Sequence, residues 1–197
     1  VRGKSPNIVF EDADREAAVM AAISGIFAAT GQTCIAGSRL LVQRSIHDEF
    51  VKRIVEVASK AKIGDQMLKE TNVGPVTTPP QYKKVIDYIN IAKAEGAKCI
   101  MGGNPYKGEG AKGNQFVEPT IFISVSNDMR IAQEEVFGPV LSIIPFDTEE
   151  EAIKIGNDVN FGLAAGVWTS DIGRAIRMSS KLRAGTIWVN TYRAVSF

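Results

Sequence analysis

Cys34 sits in the run Gly31-Gln32-Thr33-Cys34-Ile35-Ala36-Gly37, a thiol in a glycine-bounded loop between a long apolar stretch and a strand-like segment. A thiolate is a strong nucleophile toward a carbonyl carbon, and its attack makes a tetrahedral adduct whose oxygen carries the developing charge. Gly31 and Gly37 permit close approaches that bulkier residues would obstruct. The loop could therefore present the thiol together with the Cys34 N–H, a candidate donor to a developing oxyanion. The apolar stretch before it reads as a helix whose C-terminal, negative pole faces the cysteine, so activation of the thiol must come from elsewhere. The second cysteine, in Lys98-Cys99-Ile100-Met101, reads as an inert apolar residue. His47, the only histidine, falls on the polar start of a helix and reads as a surface residue rather than a catalytic partner.

These groups need elements to hold them. Asn7 to Phe10 reads as a strand and Asp14 to Ala29 as a helix; Ser38 to Gln43 is a strand again. Ser45 and Asp48 have capping-box spacing for a helix to about Lys60, with Phe50, Ile54, Val57 and Ala61 as its buried stripe. A third helix follows from about Pro80 to Glu95, stopped by Gly96. Strands are expected at 98–101, 116–124, 140–146, 164–169 and 186–190, with helices from Thr148 and from Asp171 to about Leu182. This alternation predicts an α/β fold, a mostly parallel twisted sheet with helices on both faces. The glycine-rich segment 102–113 lacks the strand-to-helix context of a dinucleotide fingerprint and reads as a mobile surface loop.

Composition narrows the classes. With 197 residues, 45% of them apolar, the chain suits one folded domain. Lys plus Arg (23) nearly balance Asp plus Glu (22), and the basic clusters do not exceed the Lys83-Lys84 pair, which argues against a nucleic-acid partner. The longest apolar stretch, Ala17 to Ala29, is shorter than the roughly 20 residues a membrane span needs, so no membrane role is expected. Two cysteines without pattern suggest neither a disulfide framework nor a zinc site, and so a reducing, cytoplasmic setting without a metal.

The twelve residues from Phe27 to Ser38 resemble, at every position, the active-site cysteine signature of the aldehyde dehydrogenase superfamily. The resemblance implies that Cys34 forms a thiohemiacetal with an aldehyde, that hydride passes to NAD or NADP, and that the resulting thioester is hydrolysed. Glu134-Glu135-Val136-Phe137-Gly138-Pro139 resembles a second family motif, which implies that Glu135 hydrogen-bonds the nicotinamide ribose and that Phe137 braces it. Gln81-Tyr82-Lys83-Lys84 resembles a segment bordering the same ribose, with Gln81 and Lys84 as its contacts. Thr33, Ile35, Arg193 and Val195 fall where the family lines its aldehyde pocket, and the blocks 161–169 and 184–192 resemble its sheet.

The opening Val1-Arg2-Gly3-Lys4-Ser5-Pro6 resembles the tail of a further signature, whose general-base glutamate would immediately precede Val1; Arg2 stands where the family usually has glycine. Residues 1–197 are thus expected to be one thiol-bearing catalytic domain, with the cofactor-binding domain absent and no dehydrogenase activity on its own. The full-length protein would be a homo-oligomer, dimer or tetramer, in which a hairpin from the partner extends the catalytic sheet. Two other readings stay open: a non-catalytic member with a structural or binding role, and an acyl-transferring branch that hands the thioester to coenzyme A.

Overall fold

The computed structural model describes residues 2–111, 113 and 115–194. Seven strands form one twisted sheet: β1 (Pro6–Val9), β2 (Arg39–Gln43), β3 (Lys98–Met101), β4 (Thr120–Ile123), β5 (Val140–Phe146), β6 (Ala164–Trp168) and β7 (Thr186–Val189). Their order is β3-β4-β5-β2-β1-β6-β7, and every pairing is parallel except β3 with β4. The α/β sheet expected from the alternation is the one observed.

The helices are α1 (Arg15–Phe27), α2 (His47–Ala58), α3 (Pro79–Ala94), the one-turn α4 (Arg130–Gln133), α5 (Glu149–Asn157) and α6 (Ile172–Lys181). Helices α1 and α2 cover one face of the sheet, packing on Val9, Leu40, Val42, Leu141 and Ile143. On the other face α3 and α4 pack on Phe122, Val140 and Ile144, while α5 and α6 pack on Ile8, Leu41 and Val167. Neighbours such as Ile8 and Val9 thus serve opposite layers, which is why the central strands are apolar without alternation. Truncating a fully buried residue such as Leu40 or Ile54 should cost about 2–5 kcal/mol.

Several local expectations are corrected. Helix α1 ends at Phe27 rather than Ala29, because Ala29 and Thr30 take left-handed angles (φ 55° and 57°) that turn the chain into the cysteine loop. The capping box at Ser45 does not form: the α2 N-cap is Ile46, Ser45 Oγ donates instead to Glu11 Oε2 (2.6 Å), and Asp48 Oδ1 pairs with His47 Nδ1 (2.8 Å). A tertiary partner has outcompeted the local one. The α2 stripe keeps Phe50 and Ile54 but continues through Val51 and Ala58, with Val57 and Ala61 only partly buried. His47 is not a surface residue, since its side chain is 15% exposed, yet it follows the C-terminal end of β2, opposite the end where Cys34 lies. The strand expected over 116–124 contracts to 120–123; Val117 makes an isolated bridge to Pro105, and Pro119 has no N–H to pair.

Candidate active site

Parallel strands bring six chain segments to one end of the sheet, the end where the strands start. Cys34 occupies a β-turn over Thr33–Ala36, closed by Ala36 N–H donating to the Thr33 carbonyl (3.0 Å). Gly37 N–H ties the turn's exit to the Gly25 carbonyl of α1 (3.2 Å). From the start of β1, Gly3 packs against the Cys34 carbonyl so closely that a Cβ there would lie 2.0 Å from that oxygen. Cys34 itself is half-buried, and among the described residues neither its N–H nor its sulfur makes a hydrogen bond. The turn is fixed from behind while its reactive groups stay unspent.

The acidic pair before β5 divides its labour. Glu134 turns outward, taking two hydrogen bonds from Arg130 (2.8 and 3.0 Å) and one from the Tyr88 hydroxyl; these hold its carboxyl down at about 2. Glu135 turns inward, and its Oε1 accepts from Gly3 N–H (2.9 Å). Gly3 therefore touches the Cys34 carbonyl on one side and the Glu135 carboxylate on the other. Phe137 takes a left-handed φ of 60°, and its loop is held by Gln81, whose amide donates to the carbonyls of Val136 (2.8 Å) and Phe137 (3.0 Å). Gly31 (φ 67°) joins the two loops: a Cβ there would lie 2.0 Å from the Gly138 carbonyl oxygen. Gly3, Thr33, Glu135 and Phe137 together border a narrow cavity of about 10 Å³, room for roughly one water.

The other sequence-predicted residues divide in the same way. Thr33 and Ile35 flank Cys34 in the turn, and the Arg193 guanidinium reaches Thr33 Oγ1 (3.4 Å) and the Ser24 carbonyl (3.3 Å). Val195 lies outside the described residues. The Lys84 ammonium lies 5.7 Å from the Tyr88 ring centre. Gln81 spends its N–H groups on the backbone of 136–137, so it positions the Phe137 loop. The carboxylate of Glu135, with one oxygen held by Gly3, and the half-exposed ring of Phe137 are a donor-accepting group and an apolar plate suited to a ribose.

Two buried cations complete the site's support. Lys4 is 2% exposed, and burial, with the Arg39 charge second, pushes its ammonium down to about 7. Arg39, fully buried at the start of β2, donates to the Lys4 carbonyl (3.0 Å), to Asn127 Oδ1 (2.9 Å), and to the Ile155 and Gly156 carbonyls (2.8 and 2.9 Å). It thereby ties β1 to the last turn of α5, where helix carbonyls attract a cation. A one-dimensional reading gives no reason to bury either cation.

The model of the aldehyde dehydrogenase family matches residues 1–196. A betaine aldehyde dehydrogenase of Mesorhizobium japonicum is 50% identical over 190 residues, covering 96% of this chain and 39% of the relative. A crystal structure of betaine aldehyde dehydrogenase from Staphylococcus aureus in complex with NAD+ superposes with a TM-score of 0.97 at 43% identity, covering 99% of this chain and 40% of that one. An indole-3-acetaldehyde dehydrogenase of P. syringae in complex with NAD+ gives 0.96 at 47% identity, over 100% of this chain and 39% of that one. The chain spans about two fifths of the length of these relatives. With the matched model running from end to end and the cysteine turn seated at the head of the sheet, the chain belongs to the aldehyde dehydrogenase family.

Proposed function

We propose that this chain is the thiol-bearing catalytic domain of an enzyme that oxidises an aldehyde to a carboxylic acid with a nicotinamide dinucleotide. The observation that carries this reading is the Cys34 turn: the thiol and the N–H are left open next to Glu135 and Phe137. The sulfur attacks the aldehyde carbon, a C–S bond forms, and the carbonyl electrons move to oxygen, where the Cys34 N–H donates to them. One such donor is worth roughly 10²–10³ in rate. Glu135 and Phe137 would hold the ribose end of the dinucleotide, NAD+ being the one bound in both structural neighbours. When bound, the dinucleotide supplies the hydride acceptor. Water then cleaves the acyl–sulfur bond and returns the thiol.

Among the described residues no carboxylate or imidazole hydrogen-bonds the Cys34 sulfur. In this reading the general base comes from a further part of the protein, and the 197-residue chain is expected not to turn over aldehyde on its own. In the working protein the edge of β7, which among the described residues pairs with β6 alone and exposes Val189, would be covered by a second copy, giving a homo-oligomer.

A chimera tests the reading. Residues 2–194 replace the matching segment of the M. japonicum relative, and NADH formation from betaine aldehyde is followed. The chimera is expected to oxidise aldehyde and its Cys34→Ala form is not. A folded, NAD+-binding chimera without activity would contradict the proposal.

A further inference from the structure

The segment after β7 holds the cysteine turn from both flanks. The Tyr192 hydroxyl donates to the Ile35 carbonyl (3.0 Å), and Arg193 donates to Thr33 Oγ1 (3.4 Å), so consecutive residues grip the two neighbours of Cys34. The grip is a built feature. Tyr192 is 8% exposed, and its ring packs tilted against Trp188 with ring centres 5.1 Å apart. It fills a slot that three glycines from three elements leave open. A Cβ would come within 2.9 Å of the ring at Gly25 of α1, 3.1 Å at Gly37 ahead of β2, and 2.5 Å at Gly166 of β6. Ser5 Oγ, buried and without a well-formed hydrogen bond, faces the same phenol.

We propose that Tyr192 is a positioning residue, whose hydroxyl fixes the Ile35–Ala36 peptide at the exit of the turn and so holds the turn with the Cys34 N–H aimed at the oxygen of a carbonyl under attack. The proposal rests on the reading of Cys34 as the nucleophile. Burial pushes the phenol's ionisation up, so the hydroxyl keeps its proton, and stays a donor, throughout the neutral range. Tyr192→Phe removes one oxygen and leaves the ring in its glycine slot.

Two probes separate positioning from stability. p-Nitrophenyl acetate acylates a thiolate through a tetrahedral oxyanion: the C–S bond forms, charge passes through the carbonyl oxygen, and p-nitrophenolate leaves. Iodoacetamide alkylates the same sulfur by direct displacement of iodide, with no oxyanion. In the protein, Y192F is expected to slow Cys34 acylation about tenfold, a fraction of the loss of a whole oxyanion donor, while changing alkylation by less than about twofold. Thr33→Val, which removes the Arg193 contact, should show a smaller drop in the same ratio. Equal changes in both rates, or none, would overturn the proposal. So would a Y192F protein without a cooperative unfolding transition, which would make the hydroxyl a folding determinant. Wild-type acylation no faster than that of C34A would instead remove the nucleophile reading itself, so the two failures are told apart.

Discussion

The two ends of the parallel sheet are built by opposite rules. At the end where the strands finish, polar groups saturate one another across neighbouring loops. Asp12, after β1, accepts from Thr169 Oγ1, from Ser170 and Asp171 N–H, and from Arg174 (2.9 Å); Arg44, after β2, forms a bidentate pair with Asp147, after β5; Thr169 and Asn190 exchange two hydrogen bonds. At the end where the strands begin, Gly3, Gly31 and Gln81 grip the loops from behind and leave the Cys34 thiol and N–H free. In open α/β sheets ligands commonly bind beyond the carboxyl ends of strands. Here that end is stapled shut and the proposed nucleophile sits at the other. Satisfied charge marks scaffold, whereas groups held from behind with open valences mark a site.

Removing a staple should cost stability and nothing else. Asp12→Ala takes one carboxylate partner from the Arg174 guanidinium and an acceptor from two backbone donors, and urea unfolding is expected to show a loss of about 3 kcal/mol, with Cys34 alkylation unchanged under native conditions. Burial raises the Asp12 carboxyl, but the Thr169 and Ser170 hydrogen bonds and the Arg174 charge outweigh it, leaving it below the ordinary range. Its contribution is therefore present above the unfolded-state value and lost as pH falls through the folded one, so the gap between wild type and variant should close in acid. A collapse of Cys34 reactivity in this variant would show that the two ends are not independent.

At the other end the ranking reverses. Gly31→Ala forces a left-handed alanine against the Gly138 carbonyl, 2.0 Å from its Cβ, and about 2 kcal/mol of stability should go. Here the Cys34 reaction rates change as well, because the turn and the Glu135 loop share that contact. Unaltered rates would uncouple the two loops.

The last effect concerns the buried lysine and is read as a slope against pH. Lys4 ionises at about 7 when folded against an ordinary 10.5, so between those values the unfolded chain binds the extra proton and stability rises with pH. Below about 7 the full desolvation penalty applies. Lys4→Met should remove this slope, roughly 1 kcal/mol per pH unit, most visibly in unfolding measured from pH 7 to 10. A slope that survives in the variant would place its origin elsewhere.

The alternation of elements and the family motifs were legible because both are local patterns. Cys34, Glu135 and Phe137 announce themselves in short runs, and the sheet follows from apolar segments and their breakers. What the sequence hides is convergence. Gly25, Gly37 and Gly166 lie on separate elements, and nothing in one dimension says that they make room for one tyrosine. Lys4 and Arg39 look like ordinary surface cations until β1 and β2 are paired. Ser45 matched a local capping rule and lost to Glu11, which folding brings alongside from 34 positions away. Gln81 matched a motif for cofactor contact, yet its donors go to the backbone of the neighbouring loop.

The two cysteines give the most direct test. Cys34 sits on the open turn, while Cys99 donates its thiol to the Met101 carbonyl (3.4 Å) and burial pushes its ionisation up. Iodoacetamide labelling across pH, read by peptide mass with Cys34→Ala as control, is expected to modify Cys34 about tenfold faster than Cys99 at neutral pH. Equal labelling, or Cys99 reacting first, would contradict the assignment of the strand-start end as the reactive one.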